Sequence, residues 1–168
     1  RPDTPNPLKR YLSGWRLEHQ GASGSVHEHL VTANAQHLED SWEGYQRAED
    51  AFEVALVLAE DDPVTIAGYV ENLAIWRFSL ASSEERRTAH EALAHALELA
   101  PRHPAVQRAS GALGFATGDL SRCRLGAEKA VELDGTDGRA LLILAECYME
   151  GNVLLAIEEI EHARKLLP

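Results

Sequence analysis

The chain has 168 residues, 45% of them apolar and 26% charged, a globular balance with enough material for a sizeable core. Its 16 Lys and Arg face 27 Asp and Glu, a formal net charge of -11. That balance excludes a nucleic-acid binder, which needs a basic stripe to neutralise phosphates, and it argues against attraction to an anionic membrane. No apolar run approaches the ~18 residues that insert across a bilayer.

In chain order, residues 1–20 differ from the rest. Pro2, Pro5 and Pro7 punctuate the start, and Leu8, Tyr11, Leu12 and Trp15 then recur at i, i+3, i+4 and i+7, one apolar helical stripe. A stripe this short is not stable alone and must dock on something. Arg1, Lys9, Arg10 and Arg16 against Asp3 and Glu18 give the segment a net +2, which leaves -13 on the remainder. Residues 21–25, Gly-Ala-Ser-Gly-Ser, read as a flexible linker reaching roughly 12 Å. The chain opens at Arg1-Pro2 without Met, as expected of a trimmed chain from which targeting information is missing.

From residue 26 to 168 the text reads as helices of about 12–18 residues, with no period-2 strand pattern. Breaks fall at Asp61-Asp62-Pro63, Ser82-Ser83, Pro101 to Pro104, Gly118-Asp119, Gly135 to Gly138 and Gly151-Asn152. Ser82 with Glu85 forms a capping box, a start signal for the next helix.

An internal repeat organises this region. Ala48, Phe52, Ala55 and Leu56 make a pattern that returns as Ala89, Leu93, Ala96 and Leu97, then as Cys123, Ala127, Ala130 and Val131, then as Ala156, Ile160, Ala163 and Leu166 before Pro168. Ala55, Ala96, Ala130 and Ala163 are separated by 41, 34 and 33 residues. Leu73-Ala74, Ser110-Gly111 and Leu144-Ala145 hold equivalent places in the preceding helices. Small residues there let two antiparallel helices approach, while larger ones fill the gap to the next pair.

With Tyr45-x2-Ala48-x3-Phe52-x2-Ala55-Leu56, Ala89-x3-Leu93-x2-Ala96-Leu97, Gly118-Asp119-Leu120 and Leu144-Ala145-x2-Tyr148, the chain resembles the tetratricopeptide repeat family over about residues 28–168. Departures are Arg77 and Gly114 in place of an aromatic, Gly135 in place of a terminal proline, and extra residues around Ser79–Ser83. The resemblance implies an all-α fold, a right-handed superhelix of about four stacked antiparallel helix pairs whose first helices line a concave groove. It also implies an adaptor or scaffold that binds a protein segment and performs no catalysis. The groove expected at equivalent places is Glu71, Ile75, Phe78, Arg108, Phe115, Arg139, Leu142, Glu146 and Met149, with Leu30, Ala33 and His37 from the least regular repeat.

Some members of that family grip a C-terminal carboxylate with lysines on the first helices. Here Lys129 and Lys165 lie on second helices, so an amphipathic or aromatic-anchored, net-basic peptide suits the groove better, with Arg108 and Arg139 the substitutes for a clamp. Residues 1–20, through Leu8, Tyr11, Leu12 and Trp15, are either such a ligand, native or fused, or a leading helix that caps the first repeat. An alternative reading is a structural domain that self-associates through its repeat surface.

No metal, cofactor or catalytic constellation is expected. His90 and His95 are five apart, about 140° around a helix at ~100° per residue, and cannot share a zinc site; a polar surface explains them. His27-Glu28-His29 reads as a solvated helix start, and His103 has no evident partner. Cys123 and Cys147 read as buried small hydrophobes more readily than as a redox pair, since they lack a close-spaced motif. A reducing compartment, the cytoplasm, is the expectation from two cysteines in this length, with the periplasm still open.

Overall fold

The computed structural model describes residues 5–149 and 151–167; Arg1, Pro2 and Asp3 of the N-terminal segment and Pro168 of the last repeat lie outside these. Among the described residues the secondary structure is entirely helical, with no strand. Two compact units divide the chain, Arg1–Leu99 and Ala100–Pro168.

The first unit opens with a 3-10 turn, Pro7–Arg10, followed by α1 (Leu12–Glu18), α2 (Val26–His37), α3 (Trp42–Leu58), α4 (Pro63–Trp76) and α5 (Ser83–Leu99). The second contains α6 (Pro104–Ala116), α7 (Leu120–Leu133), α8 (Gly138–Met149) and α9 (Val153–Leu166). Short turns fold consecutive helices back, so that α2 packs on α3, α4 on α5, α6 on α7 and α8 on α9. The connection between α4 and α5 is longer, which accounts for the wider spacing from Ala55 to Ala96.

Side-chain caps set most of these starts, because the first N–H groups of a helix have no partner within it. Asp62 accepts from Thr65 N at 2.8 Å just ahead of Pro63, Asp119 from Arg122 N at 3.0 Å, and Asn152 from Leu155 N at 3.3 Å. Ser82 and Glu85 form the expected capping box, with Ser82 N donating to Glu85 Oε2 at 2.8 Å and Glu85 N to Ser82 Oγ at 3.2 Å. Ser25 does the same with Glu28, so the last residue of the linker is also the cap of α2. His103, which the sequence left without a partner, caps α6: its Nδ1 accepts from Ala105 N at 3.3 Å.

The recurring small residues are the core. In the first unit Ala48, Phe52 and Ala55 of α3, Ile66, Val70 and Leu73 of α4, and Ala89, Leu93 and Ala96 of α5 are buried. In the second, Ala127 and Ala130 of α7 and Ala109 and Leu113 of the adjoining α6 are buried, as are Leu144 and Ala145 of α8 and Ala156 and Ala163 of α9. Gly114 explains why no aromatic stands there: a Cβ would lie 2.5 Å from Cys123 N, so only glycine permits α7 this close.

Two expectations are corrected. Cys123 and Cys147 are both buried but form a disulfide, joining α7 to the neighbouring α8 across a sequence separation of 24. Packing of those helices sets the Cα–Cα distance at 5.8 Å, within bonding range, although no close-spaced motif announces it. His95 is not on a polar surface: it is buried, with Nε2 3.6 Å from Asp61 Oδ1. No helix among the described residues is long and apolar enough to cross a membrane.

Candidate functional site

The N-terminal stripe docks, as a short amphipathic helix must. Leu8, Leu12 and Trp15 are buried and Tyr11 is half-buried, with α1 packed on α3 and the 3-10 turn on α5. The Trp15 ring lies between Tyr11 and Tyr69 of α4, centroids 5.7 and 5.3 Å away. Basic side chains fasten the segment to the acidic turn after α3: Lys9 Nζ pairs with Glu60 at 3.1 Å and Asp61 at 2.8 Å. Arg10 reaches Glu84 at 2.9 Å, and the Asn6 amide donates to the Glu60 carbonyl.

Between this segment and the helices lies a cavity of about 260 Å³. Leu8, Tyr11 and Trp15 form one wall; Glu53 of α3, Tyr69 and Leu73 of α4, Arg77 at the C-cap of α4, and Glu85, Thr88 and Ala89 of α5 form the others, with Glu18 at the end of α1. Arg77 is committed: its guanidinium donates to both carboxylate oxygens of Glu49 and, at 3.0 Å, to Glu85. Burial alone would lower its pKa, but the bonds and charges of Glu49 and Glu85 raise it, and it stays a cation.

Glu53 is the unusual carboxylate. Burial pushes its pKa up to about 7; neighbouring Glu49 and Asp50 push the same way, and a 2.8 Å hydrogen bond to His19 Nε2 opposes them. Burial, with Glu49 and Glu53 nearby, also holds the Tyr69 phenol well above its usual range. Glu18, His19 and Glu53 each bring one donor atom within 4.8 Å of the others, the set among the described residues that could reach a metal ion. Glu18 is exposed and the remaining two already satisfy each other, so this trio reads as the ionic rim of the cavity.

The expected groove residues divide by burial. In the first unit Glu71 and Phe78 are buried, Phe78 edge-on to His90 at 6.2 Å, and Ile75 is exposed. In the second unit Arg108 is buried and ion-paired with Asp137, whose other carboxylate oxygen accepts from the N–H groups of Arg139 and Ala140 at 3.1 Å each. That pairing ties α6 to the start of α8 and takes Arg108 out of any carboxylate clamp. Phe115 at 46%, Leu142 at 36% and Met149 at 60% exposure stand out on the adjoining helices α6 and α8, with Arg139 and Glu146 half-buried. Leu30 is half-buried, while Ala33 and His37 are buried, His37 Nδ1 lying 2.8 Å from Asn72 Oδ1.

Glu53, Tyr69, Arg77 and Thr88 escaped the sequence reading. One signal was there: Glu49 and Glu53, one turn apart, fall among the buried positions of α3, where unpaired charge is not tolerated. Comparison of the chain with family models and with curated proteins gives no match.

Proposed function

We propose that the chain is a non-catalytic protein-interaction module, a tetratricopeptide-like stack of helix pairs winding into a right-handed superhelix. Its ligand is an amphipathic, net-basic peptide held through aromatic or aliphatic anchors. The observation that carries this reading is the exposure of Phe115, Leu142 and Met149 on neighbouring first helices, while Arg108 of α6 is locked into the fold. Large apolar side chains exposed on two adjoining helices of an otherwise acidic protein favour a partner that covers them. Residues 5–20 then act as a brace on the first unit, because Leu8, Leu12 and Trp15 spend their apolar surface against its own helices. The Cys123–Cys147 bond favours an oxidising compartment over the cytoplasm.

The test is selection of a displayed library of 16-residue peptides against the full chain. Enriched sequences should be basic, amphipathic and bear an aromatic, and they should lose binding to the Phe115→Glu, Leu142→Glu double variant. Acidic winners, or binding that ignores those substitutions, would overturn the reading.

A second reading, self-association, rests on further exposed apolar residues. Val153, Leu154, Leu155 and Ile157 of α9 are exposed, Leu154 at 75%, next to Met149 at the end of α8. Solution mass that rises toward a dimer with concentration, and falls back on Leu154→Glu, would establish it.

A further inference from the structure

The cavity of the first unit has a chemistry that the interaction module does not use. Glu18, Glu53 and Glu85 line it against a single cation, Arg77, which is already bonded to Glu49 and Glu85. Glu53 is hydrogen-bonded to His19 and Glu85 to Arg77, yet three carboxylates against one cation leave the lining net negative, which repels an anion and favours a cation. Trp15 and Tyr69, rings 5.3 Å apart, form part of the wall, and aromatic π systems attract organic cations. An independent feature points the same way. Thr88 lines the cavity at 1% exposure, and its Oγ1 finds no hydrogen-bond partner among the described residues. A buried hydroxyl left unmatched is costly, and an incoming N–H donor would satisfy it.

We propose that this cavity binds a small organic ammonium ion, its N–H groups donating to Thr88 Oγ1 and the Glu53 carboxylate and its charge resting against Trp15 and Tyr69. Burial, with Glu49 and Asp50 nearby, disfavours charge on Glu53, and a bound cation would act together with the His19 hydrogen bond to favour the carboxylate. The volume of about 260 Å³ admits an alkylammonium chain beside Leu73 and Ala89. The same group can come from a free amine or from the side chain of a lysine in a basic partner. A metal ion at Glu18, His19 and Glu53 would leave Thr88 and both aromatic rings without a role.

Calorimetric titration of n-butylammonium chloride into the full chain, at matched ionic strength, tests the proposal. Saturable binding is expected, with 1-butanol weaker by about tenfold or more, because the charge-assisted bonds are missing. Glu53→Gln should weaken butylammonium by about tenfold and Thr88→Val by roughly fivefold. Thr88→Val should keep or raise the melting temperature, since it deletes an unmatched hydroxyl, so loss of binding is separated from loss of fold. Nα-acetyl-lysine amide distinguishes the sources: binding at least as tight as butylammonium assigns a lysine side chain, and much weaker binding assigns a free amine. Butanol binding as well as butylammonium, both variants binding like the parent, or zinc chloride saturating the trio while butylammonium gives no heat would each overturn it.

Discussion

The backbones of Gly111 and Gly126 lie so close that a Cβ added to Gly126 would stand 2.5 Å from the Gly111 nitrogen. This approach seats α7 on α6, and it leaves the exposed Phe115 on a helix fixed from behind. In an ordinary helix Gly→Ala stabilises by about 1 kcal/mol. Here the sign should reverse, with Gly126→Ala costing about 2 kcal/mol or more through overpacking against backbone that has nowhere to go. Gly14 is the control: nothing lies within 4 Å of its virtual Cβ, and Gly14→Ala should stabilise by roughly 0.5–1 kcal/mol. Urea denaturation of both variants measures the contrast.

The Cys123–Cys147 bond closes a loop with a sequence separation of 24 between two core helices. A loop of that length restricts the unfolded chain by about 3 kcal/mol. Reduction, or the Cys123→Ala, Cys147→Ala pair, should lower the denaturation midpoint accordingly while far-ultraviolet circular dichroism stays helical. An unchanged midpoint with and without reductant would mean that the bond contributes nothing to folding.

Glu53 makes stability depend on pH with a definite sign. Its folded pKa is about 7, above the ordinary 4.5, so the native state holds a proton that the unfolded chain has released. Stability from this group is therefore full below about pH 4.5 and is lost as pH rises toward 7, by up to roughly 3 kcal/mol in total. Glu53→Gln keeps a partner for His19 and should flatten that slope, leaving the variant more stable than the parent at pH 8. Parallel slopes for parent and variant between pH 5 and 8 would contradict the assignment.

Trp15 carries the docking of the N-terminal segment, at 7% exposure and 5.3 Å from Tyr69. Trp15→Ala should cost about 3 kcal/mol, the range for truncating a buried aromatic, and should free the segment for rapid proteolysis near residues 21–25. Lys9, one-third exposed against Glu60 and Asp61, should matter far less: Lys9→Ala is expected to change stability by under about 1 kcal/mol.

Residue pattern reveals local features of this fold more readily than long-range pairings. Helix starts were legible because caps are local: Asp62-Pro63, Ser82 with Glu85, and Asp119 act within one turn of themselves. The alanines at equivalent repeat positions were legible because close helix approach admits only small side chains there. The disulfide was not, since its partners meet only once α7 and α8 pack. Nor was the burial of Phe78 and Arg108: the repeat pattern places them where a ligand could reach, but Phe78 packs on His90 and Arg108 finds Asp137, 29 residues on, at the start of α8. The cavity was illegible for the same reason, assembled from three consecutive helices and a docked segment that precedes them by tens of residues.

The most direct test of the interaction module is amide hydrogen exchange of the full chain with and without a selected basic peptide. The account predicts added protection in α6 near Phe115 and in α8 from Leu142 to Met149, with residues 8–15 unchanged. Protection confined to residues 8–15 and α3, or release of that segment when the peptide binds, would contradict it and make the N-terminal stripe itself the displaced ligand.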